Sequence, residues 1–263
     1  VNIAARIGEI RAQLLENRAR LHDAPRLIAV SKTRSIEEIR CAAAAGIQDF
    51  GENYVQDALP KIAATRDIKV NWHFIGRIQS NKVRDLAQHF QWIHTLDRAK
   101  VAHGLNRFRH GEPINVCIQL DLEADDRRYG VQANKLDALI CDVESLPNLH
   151  LRGLMLMPAP GKDEQALQRV FAEAKGIFDA AKGGVSDPDS WDTLSMGMSG
   201  DYAIALEAGS NCVRIGTAIF GPRTSTVCID LAYRHRPVGK VNTYCLAACA
   251  VGIRGCKSAY ATS

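Results

Sequence analysis

Leu27-Ile-Ala-Val-Ser-Lys32 is a short apolar run that ends on a lysine. Thr33 and Arg34 follow, then Ser35-Ile-Glu-Glu38. A serine with a glutamate three residues later reads as a capping box that opens a helix. Lys32 therefore stands where a buried strand gives way to a helix. In parallel α/β proteins that edge carries the chemistry, because strand ends gather loops and helix N-termini on one face. A lysine there either closes a strand toward water or serves a site, and the rest of the chain decides between the two.

The same unit recurs along the chain. Ile3, Ile7, Ile10, Leu14 and Leu15 give residues 3–20 the spacing of an amphipathic helix, ahead of a first strand at 27–32. Runs at 47–53, 71–76, 92–96, 114–120, 149–157, 193–196 and 212–216 read as seven further strands. Helices fall between them at 35–45, 54–65, from about Ser80, and at 97–108, 132–145, 163–182 and 200–208. The strongest helical signal puts Leu167, Val170, Phe171, Ala174, Phe178 and Ala181 on one face. Eight strands alternating with helices predict one closed (β/α)8 TIM barrel with an N-terminal helix. An open doubly wound sheet would show fewer strands and a glycine-rich first turn, which Ser31-Lys-Thr-Arg34 is not.

Composition agrees with that class. The 263 residues, 46% hydrophobic and 24% charged, suffice for one large α/β domain. No apolar run approaches the roughly 18 residues of a membrane span, and the polar N-terminal segment does not read as a signal peptide. A cytoplasmic protein with no membrane partner is expected. The excess charge is localised. Residues 224–263 hold five of the 33 Lys+Arg and one of the 29 Asp+Glu, so the whole net charge of +4 lies there and the body is neutral. A neutral body argues against a nucleic-acid surface. Cys41, Cys117, Cys141 and Cys212 are single and predict buried thiols of a reducing compartment, whereas Cys228, Cys245, Cys249 and Cys256 crowd the end. His235 with the last three of these fits no standard zinc spacing. The expected organisation is a barrel over 1–223 and a C-terminal extension over 224–263.

On a barrel, the strand ends meet at one mouth. That collects Lys32, Glu52, Asn53, His73, Gly76, Thr95, Asp121, Met157, Pro158, Met196 to Ser199, Arg214, Gly216 and Thr217. Met196-Gly-Met-Ser-Gly200 follows strand seven and Ile215-Gly-Thr217 follows strand eight. Loops after strands seven and eight commonly hold phosphate through backbone N–H groups and hydroxyls. Arg214 lies two residues before Gly216, facing the mouth or pairing with a carboxylate in the wall. A strand-one lysine, a phosphate cradle and a neighbouring arginine together point to pyridoxal 5'-phosphate (PLP). Lys32 would form the Schiff base, and Arg214 would face the pyridine nitrogen and keep it unprotonated, which weakens the ring as an electron sink. His73 reads more simply as a strand histidine with a satisfied partner, Asp125 to Arg128 as a solvated loop, and Ser80 to Lys82 as a helix cap.

The chain resembles the YggS/PROSC family of PLP homeostasis proteins. The segments that carry the resemblance are Ala29-Val-Ser-Lys32, Phe50-Gly-Glu-Asn-Tyr-Val-Gln56, Trp72-His-Phe-Ile-Gly76 with Gln79-Ser-Asn-Lys82, Arg152-Gly-Leu-Met155 with Pro158-Ala-Pro160, Leu194 to Ser199, and Val213 to Gly221. They run in order over residues 3–223. The resemblance implies a barrel like the alanine racemase N-terminal domain. It implies PLP on Lys32, phosphate contacts at Ser199, Gly216 and Thr217, and Asn53 and Arg214 near the ring. It further implies a monomer that holds PLP without turnover and supplies PLP-dependent apo-enzymes. The competing readings are an amino-acid racemase and a cofactor-free aldolase-type barrel using Lys32. A racemase of this kind needs a second β domain, for which the 42 residues after Gly221 are too few. Tyr202, Ala203 and Asn211 depart from the family pattern and are expected to tune the pocket.

Overall fold

The computed structural model describes residues 2–16, 24–123 and 129–222. The expected extension over 224–263 and the Asp125–Arg128 loop lie outside the described residues, as do Cys228, His235, Cys245, Cys249 and Cys256.

Eight parallel strands close into a barrel in sequence order: β1 (Arg26–Val30), β2 (Asp49–Glu52), β3 (Asn71–Phe74), β4 (Trp92–Leu96), β5 (Ile114–Gln119), β6 (Leu149–Met155), β7 (Thr193–Met198) and β8 (Cys212–Ile215). Strand β8 returns to β1 with Ile28 opposite Arg214. The helices are α1 (Ile3–Glu16), α2 (Ile36–Ala44), α3 (Val55–Ala64), α4 (Val83–His89), α5 (Ala99–Phe108), α6 (Leu136–Glu144), α7 (Glu164–Lys182), α8 (Tyr202–Glu207) and α9 (Thr217–Phe220). This is the predicted (β/α)8 architecture.

Local chemistry sets the boundaries. The capping box forms: the Glu38 amide donates to Ser35 Oγ at 3.2 Å, and the Ser35 amide donates to the Glu38 carboxylate at 2.9 Å. Asp163 caps α7 by accepting from the Ala166 amide at 2.7 Å. Helix α1 buries Ile3, Ile7, Ile10 and Leu14, and its Arg11 donates to the carbonyls of Ala45 and Gly46, which the end of α2 leaves unpaired. Short 3-10 turns at Ser80–Lys82 and Ala133–Lys135 lead into α4 and α6, so these helices start later than their periodicity alone predicts.

The apolar core lies between the barrel wall and the helices, built around Phe50, Phe74, Phe90, Phe171 and Trp191. The barrel interior is different. Layers of branched aliphatic side chains usually fill it. Here Trp92, Cys117 and Met155 form a small separate cluster, and His73, His94, Ser195 and Arg214 are buried polar residues on the barrel strands.

Two sequence expectations need correction. Strand β1 ends at Val30, so Lys32 lies in the turn beyond it rather than at the last strand position. Only two of the four single cysteines are buried, Cys117 and Cys212. Cys41 and Cys141 are exposed, because each falls on the solvent face of its helix, away from the buried positions Ile39 and Ala42 or Ile140 and Val143.

Candidate functional site

Lys32 is held by what precedes and follows it. Ser31 is fully buried, and its Oγ donates to Glu52 Oε1 at 2.6 Å. Lys61 reaches the same region from α3: its Nζ donates to Glu52 Oε1 and to the Ser31 carbonyl, each at 2.8 Å. On the other side, Thr33 has φ 63°, and among the described residues no other non-glycine residue has positive φ. A β-branched residue in the left-handed region is strained, and such strain persists only where surrounding contacts impose it. The turn presenting Lys32 is thus fixed on both sides.

The turns after β7 and β8 meet. Gly197, at φ 97°, lets the chain bend at the end of β7. Asp201 closes the following turn by accepting from the Met198 amide at 2.5 Å. The Gly216 amide donates to Ser199 Oγ at 3.3 Å, which ties one turn to the other beside the start of α9. Asn53 is brought in by a close backbone approach. A Cβ on Gly76 would stand 1.9 Å from the Asn53 carbonyl oxygen, so only glycine lets the ends of β2 and β3 come this near.

Lys32, Asn53, Ser199, Arg214, Gly216 and Thr217 all line one cavity of about 270 Å³, walled further by Val30, Ile75, Met155, Met157, Met198 and Gly200. Every site residue predicted from the sequence is therefore gathered in one place. The volume falls just below the roughly 300 Å³ at which drug-sized pockets begin, which suits one small molecule. The cavity brings together an amine, a guanidinium, a hydroxyl pair and small residues with their backbone amides. Asn53 Oδ1 is buried with no hydrogen-bond partner among the described residues, an acceptor left for a ligand donor. This donor set fits a small phosphorylated aldehyde with an aromatic ring such as PLP.

Arg214 is buried and its pKa is pushed below the ordinary arginine value by desolvation. Its Nη1 donates to Ser195 Oγ at 2.8 Å and its Nη2 to the Leu156 carbonyl at 3.0 Å. Among the described residues it pairs with no carboxylate in the wall. Behind it a chain of buried groups crosses the barrel. Ser195 Oγ lies 3.0 Å from His94 Nδ1, His94 Nε2 lies 2.9 Å from His73 Nδ1, and His73 Nε2 lies 2.9 Å from Asp49 Oδ1. Burial pushes the pKa of both imidazoles down, that of His94 strongly. Burial also pulls the Asp49 carboxyl upward, but the hydrogen bonds from His73 and Asn71 outweigh it and leave its pKa below the usual value.

Other mouth residues divide differently. His73 lies inside the barrel with satisfied partners. Glu52 serves the Ser31–Lys61 cluster, and Thr95 donates to the Gly76 carbonyl at 2.6 Å. Tyr202 and Asn211 do not line the cavity. The Tyr202 hydroxyl bonds Gln13 of α1, and Asn211 links β7 to β8 by accepting from the Leu194 amide at 2.8 Å and donating to the Asp192 carbonyl at 2.6 Å. They brace the scaffold rather than tune the pocket. Sequence reasoning missed Lys61, His94, Ser195 and Asp49. Their one sequence signal is a polar residue inside or at the edge of an apolar run, and it does not say which partner each one meets.

Residues 6–224 match the profile of the family described as alanine racemase, N-terminal domain. The Pasteurella multocida pyridoxal phosphate homeostasis protein is 43% identical over 223 residues, covering 83% of this chain and 95% of that protein. Its Pseudomonas aeruginosa counterpart is 46% identical over 199 residues, covering 75% of this chain and 84% of that protein. Among solved structures, PipY of Synechococcus elongatus with PLP bound superposes with a TM-score of 0.74 at 35% identity, covering 83% of this chain and 100% of PipY.

Proposed function

The chain belongs to the alanine racemase N-terminal domain family and, within it, to the pyridoxal phosphate homeostasis proteins, and we propose that it binds PLP in the cavity of Lys32 and Arg214 and serves PLP homeostasis in the cytoplasm. The observation that carries this reading is the convergence of Lys32, Asn53, Ser199, Arg214, Gly216 and Thr217 on one cavity. The PipY structure with PLP bound supports the same cofactor.

When bound, PLP supplies an aldehyde for a lysine amine and an aromatic ring able to withdraw electrons. In this reading Lys32 is the amine, presented by a turn that Glu52, Lys61 and Thr33 hold in place. Ser199 and Thr217 offer hydroxyls and Gly200 a backbone amide without side-chain obstruction for the phosphate, while the Gly216 amide steadies the Ser199 hydroxyl. Arg214 would face the ring nitrogen as a donor. A guanidinium has no lone pair to accept a proton and stays charged, so it would leave that nitrogen unprotonated. Such a ring is a poorer electron sink, which would favour holding the cofactor over turning over a substrate. We propose, on the family resemblance, that the protein is a non-catalytic monomeric carrier with PLP-dependent apo-enzymes as its partners. Among the described residues no helix is long and apolar enough to cross a membrane.

The test is reconstitution with PLP, borohydride reduction and peptide mapping by mass. The expected result is a yellow protein whose reduced adduct lies on Lys32, and loss of the adduct in Lys32→Ala without loss of fold. An adduct on Lys61 or Lys82 overturns the site. A protein that stays colourless and takes up no PLP overturns the cofactor.

A further inference from the structure

With both imidazoles neutral, as their burial favours, the groups behind Arg214 form a hydrogen-bond chain with one direction. Asp49, ionised, can only accept. His73 Nε2 must then carry a proton, and a neutral imidazole leaves its Nδ1 as an acceptor. His94 Nε2 must therefore donate to His73, which leaves His94 Nδ1 as an acceptor in turn. Ser195 has one proton, and His94 takes it. From the other end, a guanidinium can only donate, so Ser195 must accept from Arg214. Both ends fit one order: Arg214 to Ser195, to His94, to His73, to Asp49, over steps of 2.8, 3.0, 2.9 and 2.9 Å. Stacking guards the middle of the chain. The Trp92 ring lies 5.4 Å from His73 at 12° and 5.7 Å from His94 at 29°. His73, His94 and Ser195 are fully buried, so water does not compete for these bonds.

We propose that His94, through Ser195, is a positioning residue for Arg214: by taking the Ser195 proton, the chain from Asp49 leaves the hydroxyl an acceptor toward Arg214 and so aims the guanidinium at the cofactor ring. None of Asp49, His73, His94 or Ser195 lines the cavity, so their effect on the cofactor passes through Arg214. Without His94 the Ser195 hydroxyl is free to rotate and to present its own proton to the guanidinium, which repels it. The Leu156 carbonyl then holds Arg214 by one nitrogen, and the planar group can turn. This inference rests on PLP as the ligand.

The test is a double-mutant cycle read by PLP affinity and by the absorption maximum of the PLP-loaded full chain. The variants are His94→Leu, Ser195→Ala, Arg214→Gln and the pair His94→Leu/Arg214→Gln, with His94→Gln as rescue. Glutamine carries one acceptor and one donor and can sustain the chain. His94→Leu is expected to weaken PLP about tenfold, the loss of roughly one buried hydrogen bond's worth of positioning. It should also shift the absorption maximum, while His94→Gln keeps both near wild type. In the Arg214→Gln background His94→Leu is expected to change nothing further, since coupled residues are not additive. Additive effects, or an unmoved spectrum in a folded His94→Leu protein, overturn the proposal. So does a His94→Gln variant as impaired as His94→Leu. Should His94→Leu not fold, Ser195→Ala runs the same cycle, and failure of both to fold assigns the chain to the scaffold and overturns it too. Wild-type protein that forms no PLP adduct overturns the cofactor reading itself, a result seen before any variant is made.

Discussion

Glu52 Oε1 lies 2.8 Å from Lys61 Nζ in a pair whose side chains are 0% and 10% exposed, and both groups also hold Ser31. The residue before Lys32 is thus fixed by its hydroxyl and by its carbonyl at once. Glu52 Oε2 has no partner among the described residues, so the carboxylate already depends on few contacts.

Removing one member leaves the other charge buried and unpaired. Lys61→Met should therefore destabilise the fold by about 3–5 kcal/mol. Replacing both, as Lys61→Met/Glu52→Leu, should recover much of that loss, since the uncompensated charge is gone. Urea unfolding of the two variants measures the difference. A Lys61→Met cost below about 1 kcal/mol, the value of a surface pair, would show that the pair is solvated.

The two buried imidazoles predict an acid limit to stability. Their folded pKa values lie below the ordinary 6.5, through burial first and, for His94, also through the charges of His73, Arg214 and Arg26. The unfolded chain therefore binds more protons than the native one between the depressed folded values and 6.5. Stability is fully present above about pH 6.5 and falls as pH drops below it, by up to about 1.4 kcal/mol per pH unit for each imidazole. Denaturant midpoints from pH 8 to pH 5 should show this decline, and His94→Gln should flatten part of it. A midpoint that rises on acidification would sink the assignment of neutral imidazoles.

Thiol reactivity should separate the cysteines by burial. Cys41 and Cys141 are exposed and Cys117 and Cys212 are buried. Burial raises the Cys212 pKa to about 11 and that of Cys117 further. Alkylation of native protein at pH 8, mapped by peptide mass, should label Cys41 and Cys141 and spare the other two, because only the thiolate reacts. Labelling of Cys117 under native conditions would mean that the barrel interior opens.

Much of the fold was legible because its signals are local. The apolar run before Lys32 and the Ser35–Glu38 box each specify an element from a few adjacent residues, and repetition of the unit specifies the barrel. The cavity residues were legible for a related reason, since a (β/α)8 barrel sends every strand end to one mouth and position in the repeat places Lys32, Ser199 and Arg214 together. The Asp49–His73–His94–Ser195 chain was not legible. Its members lie on four strands, and their pairing depends on side chains meeting across the interior, which no local pattern encodes. Lys61 was hidden for another reason. On a helix, a lysine reads as a solvent residue until a buried carboxylate is known to face it. Several strand ends were read too long because apolar turn residues such as Ile75 and Leu156 look like strand, whereas β7 was read two residues short across Gly197.

Gly76 tests the approach that brings Asn53 to the cavity. A Cβ there would meet the Asn53 carbonyl at 1.9 Å and its Cα at 2.7 Å, both backbone atoms that cannot swing aside. Gly76→Ala should push the ends of β2 and β3 apart, at a cost of about 1–3 kcal/mol for overpacking. It should also weaken PLP binding by moving Asn53. Thermal unfolding and PLP titration together check both, and a variant with wild-type values in each would remove Asn53 from the site.

We propose that residues 224–263 are dispensable for the barrel and for PLP. Strand β8 closes on β1 by Ile215, and the family match ends at residue 224. The Pasteurella relative is matched over 95% of its length by only 83% of this chain, so most of its sequence has its counterpart before that point. The charge balance changes there as well, from a neutral body to a basic segment. A chain ending at Arg223 should be soluble, should unfold at the same denaturant concentration as the full chain within about 0.5 kcal/mol, the usual effect of changes away from the core, and should form the same reducible adduct on Lys32. An insoluble or colourless truncation, from a full chain that does bind PLP, would make residues 224–263 part of the fold and move the domain boundary.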